Sequence, residues 1–158
     1  MPIAKIVSGG QTGVDRGAIE AAYLRGFPYG GYVPRYRLAE DARVPDKYTC
    51  MIEDTCKDYG HRTEANVVHS DATLILSRTE ALTRGTKKTA TFCERYKRPC
   101  LVLNPDEADV AAVHEWLENT FGPKKAIVLN VAGPRESKSP GVEAAACAFV
   151  QKLISERN

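Results

Sequence analysis

One stretch of the sequence decides the fold: Ser8-Gly9-Gly10-Gln11-Thr12-Gly13-Val14-Asp15-Arg16-Gly17. It follows an apolar strand pattern over 3–7 and opens a helical pattern over 14–25. A buried strand, a glycine-rich turn and a helix start together predict an anion site, because the first N–H groups of a helix lack intrahelical partners and the helix dipole adds positive potential. Glycine also lets the backbone approach a phosphate closely. We interpret the turn as the floor of a nucleotide- or phosphate-binding pocket.

The glycine spacing of this turn fits neither of the two standard nucleotide-binding fingerprints. Glycines stand at positions 9, 10, 13 and 17, which differs from G-x-G-x-x-G, and no Gly-Lys-Ser/Thr follows. A structural interpretation therefore stays open, in which Gly17 allows a helix to pack closely on the sheet. Thr12 and Asp15 have the spacing of a capping box, so we expect Asp15 either to cap the helix or to contact a ligand.

Length and composition predict a single domain of ordinary globular character. The chain has 158 residues, of which 43% are hydrophobic and 27% charged, and its net charge is +2. This charge does not indicate a strongly basic nucleic-acid surface. No apolar run is long enough to span a membrane, and the strand pattern from residue 3 leaves no room for a signal peptide. We expect a cytoplasmic protein with neither a nucleic-acid nor a membrane partner.

The cysteines and histidines predict no structural metal site. Five cysteines are present without a C-x-x-C pair, and the three histidines show no zinc-ligand spacing. Cys93, Cys100 and Cys147 fall within helix or strand patterns, so we interpret them as small core residues. This usage indicates a reducing compartment.

Strand and helix patterns alternate along the rest of the chain. The further strands are expected over 28–33, 48–53, 72–76, 99–103 and 126–131, and the further helices over 61–69, 86–97, 106–120 and 140–156. The alternation predicts one α/β domain over 1–158, a three-layer Rossmann-like fold with a mostly parallel sheet of about five or six strands. If the strand order resembles 3-2-1-4-5, the switch point lies between strands 3–7 and 72–76. The turns at 9–15 and 85–86 would then face one crevice.

A second turn with the features of an anion site opens the helix over 86–97. It contains Gly85 and Thr86, and Lys87 and Lys88 follow in the first helical turn. Cations there oppose the helix dipole at about 0.3–1 kcal/mol each, and a bound anion would reverse that cost. Arg135 lies just after strand 126–131, where ligands bind in open α/β sheets. Ser139 and Pro140 match the start of the last helix.

Six segments of the sequence together resemble the molybdenum-cofactor carrier family. They are residues 8–16, 39–41, 62–67, 70–75, 85–86 and 130–137. The match spans nearly the whole chain, and its first and last motifs are the distinctive ones. That family is similar to the Rossmann-like superfamily that contains the Lonely Guy-type phosphoribohydrolases, the lysine-decarboxylase-like proteins. The resemblance implies a phosphorylated pterin or nucleotide bound in the crevice.

The sequence departs from those hydrolases at one position. They carry Pro-Gly-Gly-x-Gly-Thr-x-x-Glu, whose Glu works with an upstream Arg. Here Arg62 matches the Arg but Thr89 stands in place of the Glu, and a hydroxyl cannot serve as general acid or base at neutral pH. The resemblance therefore implies the anion-binding half of the site without the acid–base half. The carboxylates left open as substitutes are Asp15, Glu40, Asp41 and Glu64.

The sequence predicts a protein that binds or carries a phosphorylated cofactor, either molybdenum cofactor (molybdopterin) or a nucleotide. The predicted binding residues are Gly9, Gly10, Gln11, Thr12, Gly13, Asp15, Arg62, Gly85, Thr86 and Arg135. The two arginines would pair with a phosphate or carboxylate. Two alternatives stay open, a nucleoside-monophosphate phosphoribohydrolase-type enzyme and a nucleotide-sensing module without catalysis. We expect a homo-oligomer, because helices of such sheets often pack between subunits.

Overall fold

The structure is a computed structural model that describes residues 3–123 and 125–155. Its main sheet contains the strands β1 (Ile3–Val7), β2 (Tyr29–Val33), β5 (Met51–Glu53), β6 (Ala72–Leu76), β7 (Cys100–Leu103) and β8 (Ile127–Ala132). A small hairpin is formed by β3 (Leu38–Ala39) and β4 (Ala42–Arg43). The helices are α1 (Val14–Leu24), α2 (Tyr59–Val68), α3 (Arg84–Arg95), α4 (Val110–Phe121) and α5 (Val142–Ser155).

The main sheet has the order β5-β2-β1-β8-β6-β7, and its strands pair in parallel. One core joins the sheet to α1, α4 and α5, while a smaller cluster packs α2 and α3 against β7. The structure thus confirms an α/β fold of the Rossmann-like type with a parallel sheet of six strands. No helix of the described residues is long and apolar enough to cross a membrane.

The expected strand order is wrong at one point. Strand β8, not the strand over 72–76, is the neighbour of β1, and it pairs with β6 on its other side. Its sequence Ile-Val-Leu-Asn-Val-Ala is apolar enough to be buried on both faces, which suits a central strand of a parallel sheet. Local patterning shows that a strand is buried but not which buried strand lies beside it.

The helix ends agree with the sequence only in part. Gly26 ends α1 as expected, since the Phe27 N–H donates to the Ala22 carbonyl at 2.9 Å. The expected capping box is wrong, because Gly13 is the N-cap of α1 and no side chain caps it. The last helix begins at Val142, two residues after Pro140, because Gly141 has a φ of +89° and interrupts the helical backbone.

Gly17 lies where α1 crosses α5. A methyl group on Gly17 would overlap the carbonyl oxygen of Glu143 and lie 3.0 Å from the Cβ atom of Ala146. The close packing that the sequence suggested is therefore real, but it is between two helices and not between helix and sheet.

We expect Gly17→Ala to lower the free energy of unfolding by about 1–3 kcal/mol, because the added methyl group overpacks the contact between α1 and α5. Urea unfolding measures the change. Gly85→Ala is the matched control, since the space beside Gly85 is open and alanine in a helix is favoured by about 0.5–1 kcal/mol. Equal unfolding midpoints for Gly17→Ala and the wild type would contradict this packing argument.

Candidate functional site

A cavity of about 290 Å³ lies beyond the carboxyl ends of β1 and β8. Its walls come from the turn after β1, the first turns of α2 and α3, and the loop after β8. Both glycine-containing turns singled out in the sequence thus reach the same cavity. The position agrees with the rule that ligands of open α/β sheets bind outside the carboxyl ends of the strands.

Seven of the ten predicted binding residues line this cavity: Gly9, Gln11, Asp15, Arg62, Gly85, Thr86 and Arg135. The other three lie behind its wall. Gly10 faces Val33 and Val44, and the Thr12 hydroxyl donates to Glu40 Oε2 at 2.5 Å. Gly13 has a φ of +84° and packs against the backbone of residues 134 and 135.

Two N–H groups at the N-terminus of α1 have acceptors in other parts of the protein. The Gly13 N–H donates to Glu143 Oε1 at 2.9 Å, and the Val14 N–H donates to the Pro134 carbonyl at 3.2 Å. This turn lines the cavity with Gly9, Gln11 and the carboxylate of Asp15. The first helix start therefore offers an acceptor to a ligand, which differs from the phosphate cradle that the glycines suggested.

Asp15 forms a buried ion pair with Arg62, with Arg62 Nη1 3.0 Å from Asp15 Oδ2. Asp15 is 6% exposed and Arg62 8%. Burial raises the pKa of Asp15 above its usual range, and the adjacent Arg62 guanidinium opposes that rise. A side chain on Gly9 would overlap Arg62 Nη1 and lie 2.9 Å from Asp15 Oδ2, so the pair requires glycine at this position.

Arg62 retains a free hydrogen-bond donor. Its Nε is buried and has no hydrogen-bond partner among the described residues. An unpaired buried donor costs about 1–3 kcal/mol, which a ligand atom accepting this hydrogen bond would recover. Arg62 therefore offers a ligand one unpaired N–H group, while its charge is already paired with Asp15.

The N-terminus of α3 presents unpaired N–H groups. Thr83 is its N-cap without a side-chain cap bond, and the hydroxyls of Thr83 and Thr86 lie 2.9 Å apart. Within the described residues, no acceptor pairs with the backbone N–H groups of 84–86, and the space beside Gly85 is open. This helix start is thus free to bind an anion.

Charged side chains around the cavity favour an anionic ligand. The lining cations are Arg62, Arg84, Lys88, Arg135 and Lys138, against the carboxylates of Asp15 and Asp58. Lys88 lines the cavity but Lys87, its neighbour in the sequence, does not. Since cations outnumber carboxylates, the cavity has a positive potential that attracts anionic ligands, most strongly beside the start of α3.

The structure also shows which of the four carboxylates that the sequence left open as substitutes for the missing Glu lies at the cavity. Thr89 lines the cavity, and its hydroxyl donates to the Gly85 carbonyl at 3.3 Å. Asp41 pairs with Arg16 at 2.8 Å, and Glu64 accepts from the Tyr96 hydroxyl. Neither of them nor Glu40 lines the cavity, whereas Asp15 does.

Glu40 joins three segments behind the cavity. Its carboxylate accepts from the Thr12 hydroxyl and from the N–H and hydroxyl of Ser137, and Arg135 Nη1 lies 3.7 Å away. The hydrogen bonds from Ser137 and Thr12 lower the pKa of Glu40. The hairpin β3–β4, the turn after β1 and the loop after β8 therefore meet at one carboxylate, which we call the Glu40 clamp.

Several lining residues escaped the sequence interpretation. They include Asp58, Tyr59, Gly60, Asn66, Thr83, Arg84, Asn130 and Lys138. Asp58 caps α2 by accepting from the Gly60 N–H at 2.9 Å, and this capping signal is visible in the sequence. Asn66 and Asn130 lie in two of the segments that carry the family resemblance, but their residue types alone did not mark them as binding residues.

Comparison with known proteins agrees with this fold and with the family resemblance noted in the sequence. Residues 6–154 match the model of the circularly permuted YpsA SLOG family. The chain belongs to this family. It is also similar to the crystal structure of a "putative molybdenum carrier protein" from Syntrophus aciditrophicus SB, with 41% identity and a TM-score of 0.84. That match covers 96% of this chain and 94% of the other. No curated protein matches the chain.

The pKa of Glu40 leads to a prediction about acid stability. A carboxylate whose folded-state pKa is lowered stabilises the fold above the ordinary glutamate pKa of about 4.3, and this contribution disappears as the pH falls through the lowered value. We expect Glu40→Gln to lower the thermal midpoint at pH 7, and we expect this difference from the wild type to shrink steadily as the pH falls below about 4.3. Glu107→Gln, at an exposed position, is the control. A difference that stays constant from pH 7 to pH 3 would exclude this role.

Proposed function

We propose that the protein binds a small phosphorylated ligand in this cavity, with the phosphate at the start of α3. The observation that carries the proposal is the set of free backbone N–H groups at 84–86, flanked by Arg84 and Lys88. A phosphate there gains hydrogen bonds, the dipole of α3 and two cationic side chains at once. It also offsets the repulsion between those cations and the helix start.

The size of the cavity limits the ligand. Its volume of about 290 Å³ lies at the lower end of the range for small-molecule sites, roughly 300–1,000 Å³. We infer a ligand with one ring system and one phosphorylated arm, such as a mononucleotide or a phosphorylated pterin.

Molybdenum cofactor is our first candidate for the ligand, and carriage of that cofactor is the corresponding role. The name of the similar protein from Syntrophus aciditrophicus supports it. The cavity suits the phosphate of such a cofactor. Its described lining residues include no cysteine or histidine, and the described part of the chain contains no group of three or more metal-ligating side chains. The protein would therefore hold the cofactor through its phosphate and ring, and leave the metal to the cofactor's own ligands. A nucleotide is the second candidate.

The proposal includes a cellular setting and an assembly state. We propose that the protein works in the cytoplasm as a homo-oligomer. The free state of all five cysteines supports a reducing compartment. Light scattering with and without ligand measures the assembly state directly.

The anion site at α3 is tested by two substitutions at one position. Thr83 has an extended backbone with ψ of 164°, which suits a residue before proline, so Arg84→Pro fits the first position of α3 and removes both a backbone N–H and a charge. Arg84→Ala removes the charge alone. We expect phosphorylated ligands to bind about ten- to a hundredfold more weakly to Arg84→Pro than to Arg84→Ala, since a hydrogen bond to a charged group contributes about 1.5–3 kcal/mol.

Isothermal titration calorimetry with molybdopterin and a panel of nucleoside monophosphates measures these affinities. Mass spectrometry of small molecules released from the purified protein identifies a ligand that co-purifies. Equal affinities of the two variants would exclude the N–H groups of α3 as the phosphate site. Absence of binding by the wild type to every phosphorylated ligand would refute the proposed function.

A further inference from the structure

We propose that Cys93 and Cys100 form an oxidative modification site, at which a hydroperoxide joins their sulfur atoms in a disulfide that weakens ligand binding in the cavity. Cys93 lies near the end of α3, and Cys100 begins β7. Formation of the disulfide concerns these two side chains alone. Its effect on the ligand rests on the proposed function, because the start of the same helix carries the proposed phosphate site.

The two cysteines pack together between α3 and the sheet. Cys93 is 1% exposed and belongs to the small buried cluster against which Cys100 packs. The turn that joins them is fixed, since the Arg98 N–H donates to the Cys93 carbonyl at 2.8 Å. Both sulfur atoms are therefore held together within one short segment, as an intramolecular disulfide requires.

The two thiols differ in acidity because they interact. Hydrogen bonds from the Cys100 thiol and from the Thr73 hydroxyl lower the pKa of Cys93 to about 7, against the effect of burial. The contact with Cys93 raises the pKa of Cys100. The pair thus carries a thiolate, the nucleophilic form of cysteine, near neutral pH. Cys100 is partly exposed on the last strand of the sheet, so a small oxidant reaches the pair from that side.

A row of side chains connects this pair with the cavity. Thr73 on β6 lies in register with Cys100 on β7 and with Asn130 on β8. Residues in register on neighbouring parallel strands lie on the same face of the sheet, so these three form one row. The Asn130 amide donates to the Thr73 hydroxyl at 3.2 Å, and Asn130 lines the cavity. A change at Cys93 therefore reaches the cavity through Thr73 and Asn130 as well as through α3.

The proposed reaction needs a hydroperoxide as its only co-reactant. Proton transfer between the two sulfur atoms places the thiolate on Cys100. This thiolate attacks one peroxide oxygen, the O–O bond breaks, and the leaving hydroxide takes up the proton that the pair had released. The product is a sulfenic acid on Cys100. The Cys93 sulfur attacks the Cys100 sulfur, the S–O bond breaks, and the departing oxygen leaves as water with the Cys93 proton. Two thiols are oxidised to one disulfide, and hydrogen peroxide is reduced to two molecules of water.

The disulfide changes the position of α3. An S–S bond is about 2.05 Å long, shorter than a contact between two thiols, so it draws the end of α3 toward β7. It also removes the thiolate that accepts from the Thr73 hydroxyl. The first turn of α3 then shifts relative to the other walls of the cavity, and a ligand that contacts several walls binds more weakly. Transient disulfides of this kind serve redox sensing in reducing compartments.

Peptide mapping tests the modification site without any ligand. The purified chain is treated with dilute hydrogen peroxide, its remaining thiols are alkylated, and its peptides are analysed by mass spectrometry. We expect a peptide linked through Cys93 and Cys100 in the wild type and in Cys147→Ser, the matched control on α5. We expect no such link in Cys93→Ala or in the partly exposed variant Cys100→Ser, and circular dichroism shows whether each variant is folded. A wild type oxidised without this link would overturn the modification site.

Calorimetry with the panel of nucleoside monophosphates tests the effect on the cavity. We expect the oxidised wild type to bind about tenfold more weakly than the reduced wild type, within the usual range for coupling between two sites, and a thiol reductant to restore the affinity. Equal affinities of the linked and reduced forms would overturn the coupling between the cysteines and the cavity. Binding by a wild type that forms no link overturns this proposal and leaves the proposed function standing. If the reduced wild type binds none of these phosphates, the coupling is overturned together with nucleotide binding, while the peptide map still decides whether the disulfide forms.

Discussion

The buried ion pair between Asp15 and Arg62 is the interaction on which the candidate site depends. A buried pair is costly to break, since removal of one partner leaves an uncompensated charge at about 3–5 kcal/mol. The pair fixes α2 against the first turn of α1, because one side chain comes from each helix. It also explains Gly9, whose missing side chain leaves room for the guanidinium. One charge pair therefore determines a helix position, a glycine and the character of one cavity wall.

The two glycine-containing turns differ in the chemical groups that they present to the cavity. At the start of α1 the N–H groups of Gly13 and Val14 donate to Glu143 and Pro134, and the carboxylate of Asp15 lines the cavity. At the start of α3 the N–H groups are free and cations stand beside them. Because one wall accepts hydrogen bonds and the other donates them, the cavity can orient a ligand that has an anionic end and a neutral polar end.

The sequence predicted the elements of this fold but not their full arrangement. The strands over 3–7 and 72–76 were evident from short apolar runs, and both turns reach one cavity as expected. The place of β8 was not evident, since every buried parallel strand has the same apolar pattern. Gly13 looked as open to a ligand as Gly9, but its N–H partner, Glu143, lies 130 residues away along the chain. Arg62, the partner of Asp15, lies 47 residues away along the chain, so local spacing left Asp15 open as a helix cap or a ligand contact and could not predict the ion pair.

The Glu40 clamp has a consequence for how a ligand enters. It holds the turn after β1 to the loop after β8, so that side of the cavity opens only if several hydrogen bonds break together. The segment between β6 and α3 is not held by this carboxylate, and the hydroxyls of Ser77 and Thr79 bond to carbonyls within the segment itself. Changes in its length would reshape the mouth of the cavity while the Asp15–Arg62 wall stays intact. Within one fold, this segment is the natural place for relatives to acquire new ligand preferences.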